Sequence, residues 1–181
     1  MINRIRISLL LAIALYCLPG PLLLARSCSD AEVDSLQSLL TLSDISSAQR
    51  SDALFQLAYC MLKKDLDSAL VYADEGLRLS EQVNYVSGTA KYYFILGKVK
   101  EISRSYEEAK QNYLRSIKLF DQVEKSEMYL RTCNSIAFIY EIQTDYDKAL
   151  EYYMLGLEFA RELKDILFIA SFYNNISNIF F

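Results

Sequence analysis

Histidine and tryptophan are absent from this 181-residue chain, proline occurs twice and glycine five times. Without histidine there is no usual general base, no usual zinc ligand and no Ser-His or Cys-His pair, so most nucleophilic and metal-assisted hydrolysis is excluded. So few glycines and prolines leave no glycine-rich phosphate loop, no collagen repeat and too few turn residues for an all-β fold. What is plentiful is apolar and aromatic: 52% of residues are hydrophobic and 14 are tyrosine. No paired nucleophile and base and no metal-ligand cluster can be assembled, so neither an enzyme nor a cofactor is expected.

The amino terminus has the layout of an export signal. Arg4 and Arg6 precede an apolar run from Ile7 to Leu18, and Pro19-Gly20-Pro21 follows. A retained span from Ile7 to Ala25 is the alternative, but two prolines around Gly20 would break that helix. Ala25-Arg26-Ser27 offers small residues for cleavage after Ser27. Leu24-Ala25-Arg26-Ser27-Cys28 also resembles a bacterial lipoprotein box, which makes Cys28 a lipidation candidate; Arg26 and Ala25 depart from that pattern. Residues 1–27 are read as the signal and the remainder as working outside the cytoplasm, periplasmic or membrane-anchored in a bacterium. Removing them takes away three of the 19 basic side chains and none of the 23 acids, leaving a net charge of −7. An acidic chain without a basic cluster has no electrostatic basis for binding nucleic acid. Of the cysteines beyond the signal, Cys60 and Cys133 fall on apolar helix faces 73 residues apart and are expected as buried free thiols.

A period of 40 residues runs through the rest. Ser105-Tyr106-Glu107-Glu108-Ala109 recurs as Asp145-Tyr146-Asp147-Lys148-Ala149 and, more weakly, as Asp65-Leu66-Asp67-Ser68-Ala69. Leu77, Ile117 and Leu157 keep step, as do the small residues Gly76, Ser116 and Gly156. Upstream, Leu96-Gly97, Ile136-Ala137 and Ile176-Ser177 form a second block at the same interval, with Leu57-Ala58 one residue out of step. Apolar or small residues at i, i+3, i+4 and i+7 in both blocks predict two helices per unit. Asp65, Ser105 and Asp145 are placed as N-caps between them, with Ser105 and Glu108 predicted to form a capping box.

These residues resemble the tetratricopeptide repeat. Tyr93, Leu96-Gly97, Ala109, Tyr113 and Ser116 match its pattern, and Cys133, Ile136-Ala137, Tyr140, Ala149, Tyr153 and Gly156 repeat it. The unit departs from the family in being 40 residues long, in having Lys100 where an aromatic is usual, and in lacking a proline after the second helix. Longer units of this kind resemble those in extracytoplasmic sensor regions of bacterial histidine kinases and transcription regulators. The resemblance implies an all-α fold, a right-handed superhelix of antiparallel helix pairs with about three and a half units: 48–84, 85–124, 125–164 and a partial 165–181. Residues 30–47 are expected to supply a capping helix and loop, because a solenoid end otherwise exposes an apolar surface.

The role implied is a non-catalytic scaffold for protein or peptide partners. The first helix of each pair lines the concave side, and its outward positions there are Phe55, Tyr59, Lys91, Phe94, Lys98, Arg131, Asn134, Phe138, Asn174 and Asn178. Aromatic faces give contact area, amides satisfy a peptide backbone, and Lys or Arg meets a carboxylate. The last stretch, ILFIASFYNNISNIFF from Ile166, carries more apolar surface than one preceding pair covers. Three readings compete: a cap of the array, a sticky face for another chain or for self-association, or a shortened relative of a longer signalling regulator, the last favoured because no polar capping helix is present.

Overall fold

The computed structural model describes residues 28–123 and 125–180; the export-signal reading of residues 1–27 lies outside the described residues. The described residues form eight helices and no strand: α1 (Asp30–Thr41), α2 (Ser47–Met61), α3 (Leu66–Gln82), α4 (Val86–Ile102), α5 (Tyr106–Phe120), α6 (Glu127–Ile142), α7 (Tyr146–Glu162) and α8 (Ile166–Phe180). The second helices α3, α5 and α7 begin 40 residues apart, so the sequence period is also the period of the structure. None of these helices is long and apolar enough to cross a membrane.

Helices α2/α3 and α4/α5 pack closely because a small residue on one receives a ring from the other, and α7 meets α8 in the same way. A methyl group added to Gly97 of α4 would lie 2.4 Å from the Tyr113 ring of α5, and one on Gly76 of α3 would lie 3.0 Å from the Phe55 ring of α2; between units, one on Gly156 of α7 would lie 2.2 Å from Phe172 of α8. Tyr113 and Tyr153 are accordingly buried between helices, and Ala69, Ala109 and Ala149 have no exposed surface. Each tyrosine hydroxyl donates to a glutamate twelve residues earlier, Tyr113 to Glu101 at 2.5 Å and Tyr153 to Glu141 at 2.9 Å. A ring too large to bury its polar end unpaired thus reaches the helix-pair edge, where a carboxylate meets it.

The turns manage with almost no glycine. Asn84, Arg104, Thr144 and Lys164 take left-handed backbone conformations with φ of 52, 59, 60 and 56°. At each, the next residue donates back to the helix, as in Ser105 N to Lys100 O at 2.9 Å and Asp145 N to Tyr140 O at 2.9 Å. This is the paired bonding that satisfies orphan carbonyls at a helix end. Asp65 and Asp145 then cap the following helix, accepting from Ser68 N and Lys148 N, both at 3.2 Å. Ser105 does not, and the predicted capping box with Glu108 is absent. Ser29 and Ser46 cap from an extended backbone with ψ of 156 and 159°; at Ser105 ψ is 65°, a geometry from which the longer Asp145 side chain still reaches but a hydroxyl does not, and Glu108 is drawn instead to Lys100 at 2.6 Å.

The cysteines correct a second expectation. Cys60 is not a free thiol: it is joined to Cys28, with Cα atoms 5.3 Å apart, which staples the start of α1 to α2. Val33, Leu57 and Cys60 form a small apolar cluster beneath that staple. Cys133 is free and fully buried, as expected, and burial pushes its thiol up to about 12, so it stays protonated and inert.

Candidate functional site

Contacts between units reveal which way the stack curves. First helices touch in succession, α2 with α4, α4 with α6 and α6 with α8, whereas α3, α5 and α7 make no contacts with one another. The first helices therefore form the inner, concave ring. Curvature is tight enough for side chains two units apart to meet: Arg131 of α6 donates to the Tyr59 hydroxyl of α2 at 3.0 Å, across 72 residues of sequence, and its guanidinium lies 5.2 Å from that ring.

A cleft of about 340 Å³ opens on this side, bounded by Cys28 and Glu32, by Gln56, Tyr59 and Cys60 of α2, by Lys91 of α4, and by Ser126, Glu127, Met128 and Arg131 at the start of α6. A second hollow continues past Arg131 and Tyr59 to Lys98, Asn134, Ser135 and Phe168. The two hollows adjoin at the Arg131–Tyr59 pair, one reaching toward the disulfide and the other toward α8. Of the residues predicted to line the groove, Tyr59, Lys91, Lys98, Arg131 and Asn134 are brought together there. Phe138, on the same face of α6 about two turns beyond Arg131, is exposed, as are Asn174 and Asn178 of α8.

Two predicted surface aromatics belong to the core instead. Phe55 is fully buried against Gly76, whose missing side chain leaves room for the ring. Phe94 is 1% exposed, stacked beneath Tyr59 with centroids 6.1 Å apart and tilted on Tyr113 at 6.0 Å, so it forms the floor of the groove rather than its rim. Phe55 thus points into its own helix pair, whereas Phe94 is covered by Tyr59 of the preceding inner helix.

The cations also differ in state from the expectation that they would meet a partner's carboxylate, because each already faces an internal one. Lys91 pairs with Asp52 at 2.6 Å, and Asp52 also accepts from the Tyr85 hydroxyl at 3.0 Å. Lys98 pairs with Glu101 at 2.8 Å, joining the Tyr113 hydroxyl through the same carboxylate, and reaches Ser135 at 3.5 Å. Arg131 pairs with Glu127 at 2.6 Å. The groove is therefore close to charge-balanced, with fixed dipoles and ring faces rather than free positive charge.

Several groove residues escaped the sequence reading. Asn175, not Asn174 or Asn178, is the α8 amide that reaches Asn134, at 2.7 Å. The i, i+4 spacing of Glu127 and Arg131 was a readable signal for that pair. Gln56, Ser126 and Met128 carried none, since their place depends on how far α6 swings toward α2.

This arrangement is an α-solenoid of stacked helix pairs with a concave, polar-aromatic inner face. Residues 90–122 and 130–163 match the sequence model of the tetratricopeptide repeat, and these two units are tetratricopeptide repeats. Such repeats serve as protein–protein interaction scaffolds and are generally not catalytic. No curated protein matches the chain. Among solved structures, that of BtubC (BKLC) from P. vanneervenii is similar, with a TM-score of 0.61 and 16% identity; the match covers 82% of this chain and 62% of that one. At that identity the likeness is one of fold.

Proposed function

We propose that the groove takes an extended segment of a protein partner. The observation that carries this reading is the convergence of Tyr59, Lys91, Arg131 and Asn134 from three first helices on two adjoining hollows that share Tyr59 and Arg131. Because the cations are internally paired, the fitting segment is not a run of acids. It is a mixed stretch whose apolar side chains lie on Tyr59 and Met128 while its backbone is met by Gln56 and Asn134. Peptides selected from a random library on the full chain test this. Arg131→Ala and Tyr59→Ala should each weaken the selected peptides about tenfold or more, the loss expected for an aromatic or arginine anchor. Equal binding by both folded variants refutes the groove.

The place of action we propose is outside the cytoplasm. Arg4, Arg6 and the apolar run support export, and the Cys28–Cys60 disulfide supports an oxidising compartment. A membrane-anchored lipoprotein is the second reading, favoured by the box around Cys28. A thioether and the disulfide both use the same Cys28 sulfur, so one chain carries one or the other, and intact mass under non-reducing conditions tells them apart. A sensor role, in which groove occupancy is passed to another chain, is the finer form of the scaffold reading.

A further inference from the structure

Both sulfur-bearing residues of the disulfide belong to the wall of the larger cleft, where Cys28 and Glu32 stand with Cys60. Little else holds the part of that wall supplied by α1. This helix is 12 residues long and has one buried residue, Val33. Its backbone contacts are with α2 alone, whereas α4 packs on α2, α3, α5 and α6. Isolated helices shorter than about 12–15 residues are marginal in water, so α1 keeps its form by being attached. Its carboxyl end is tied by Arg50 of α2, which donates to Leu40 O and Leu42 O. Its amino end has the disulfide and the Lys64–Asp30 pair at 2.8 Å, and an ion pair so open to water contributes little. Between the two ends, half-buried Leu36 and Leu40 rest on the small cluster of Val33, Leu57 and Cys60.

We infer that the Cys28–Cys60 disulfide is a redox clasp on the groove. While it is intact, α1 supplies part of the cleft wall; when a dithiol reduces it, the amino-terminal half of α1 leaves α2, pivoting at Arg50, and Cys28 and Glu32 leave the wall with it. Cys60 is 8% exposed and Cys28 is only half-buried, so access directs the reductant to Cys28. A thiolate of the dithiol attacks the Cys28 sulfur and forms a mixed disulfide, while Cys60 leaves with the electron pair of the broken S–S bond and takes up a proton. The second thiolate of the reductant then attacks its own sulfur in the mixed disulfide, and Cys28 leaves and is protonated. Two electrons and two protons reach the chain, and the dithiol becomes a disulfide. Cys133 takes no part, being buried and protonated. The effect on a partner rests on the groove reading, since a segment lying in the cleft loses the surface that α1 offered it. The release of α1 does not rest on that reading.

Amide hydrogen exchange of the full chain, oxidised and after treatment with dithiothreitol, tests the clasp. Amides in the first two turns of α1 should exchange about tenfold faster or more after reduction, while those of α4 and α6 keep their protection. A peptide selected on the oxidised chain should bind the reduced chain about tenfold more weakly and recover its affinity on reoxidation. The double variant Cys28→Ser, Cys60→Ser should match the reduced chain in both measurements and give no response to the reagent. Equal protection of α1 in the two redox states overturns the clasp, and faster exchange with peptide affinity unchanged overturns its hold on the groove. The exchange measurement needs no peptide, so a library that yields none counts against the groove while the protection of α1 still decides the clasp.

Discussion

The buried tyrosines join packing to protonation. Burial, then the nearby Glu101 charge, holds the Tyr113 hydroxyl well above its ordinary range; burial and the hydrogen bond to Glu141 do the same for Tyr153, and burial pushes Tyr92 up to about 12. These groups keep their protons in the folded chain, while the unfolded chain releases them near the usual tyrosine value of about 10. Their contribution to stability is therefore complete below pH 10 and is lost as pH rises above it, because there the folded state binds more protons than the unfolded state. Tyr113 alone adds a slope of about 1.4 kcal/mol per pH unit in that range. Melting temperature should be level from neutrality to about pH 9 and fall steeply beyond 10, less so in Tyr113→Phe. A melting temperature unchanged at pH 11 contradicts this account of the tyrosines.

Among the elements, the helix ends are where composition and geometry conflict. Four turns need a left-handed residue and none has glycine. Thr144 is the most strained, since its branched Cβ meets the backbone that a φ of 60° brings close. Thr144→Gly relieves that strain but adds freedom to the unfolded chain, and the balance should stabilise the protein by about 0.5–1 kcal/mol. Chemical denaturation measures it, and a lower midpoint in the variant would count against the strain. The second helices were legible in the sequence because Ala109-x3-Tyr113-x2-Ser116 and Ala149-x3-Tyr153-x2-Gly156 repeat as whole patterns, each small residue marking a close approach. The Cys28–Cys60 staple was not legible. Cys28 also fits a lipid box, and nothing local to either residue says that α1 folds back onto α2. Ser105 departs from its expected cap because a cap signature records residue type and spacing but not backbone: its ψ is 65°, whereas Ser29 and Ser46, with ψ of 156 and 159°, do cap their helices.

For the whole molecule, the curvature decides which inner residues meet, and sequence encodes curvature only weakly. Tyr59 and Arg131 were identifiable as residues of the same helix face, but their meeting across α4 depends on small tilts accumulated over two units. The same tilts cover Phe94 and bring Lys91 to Asp52, while Lys98 and Arg131 pair within their own helices, so what looked like a row of free anchors is a floor of rings edged by neutralised ion pairs. Phe94 is the instructive residue: its spacing placed it on the inner side, correctly, and only the tightness of the stack turned it from rim to base. The surface left for a partner is consequently one of shape and hydrogen bonding, whose affinity should depend little on salt.

The most direct test of this account is backbone amide chemical-shift mapping with a library-selected peptide bound. The inner-face reading predicts shifts gathered on α2, α4 and α6 around Tyr59, Lys91, Arg131 and Asn134, with α3, α5 and the outer side of α7 unchanged. Shifts centred on those second helices, with the inner residues unmoved, would contradict it.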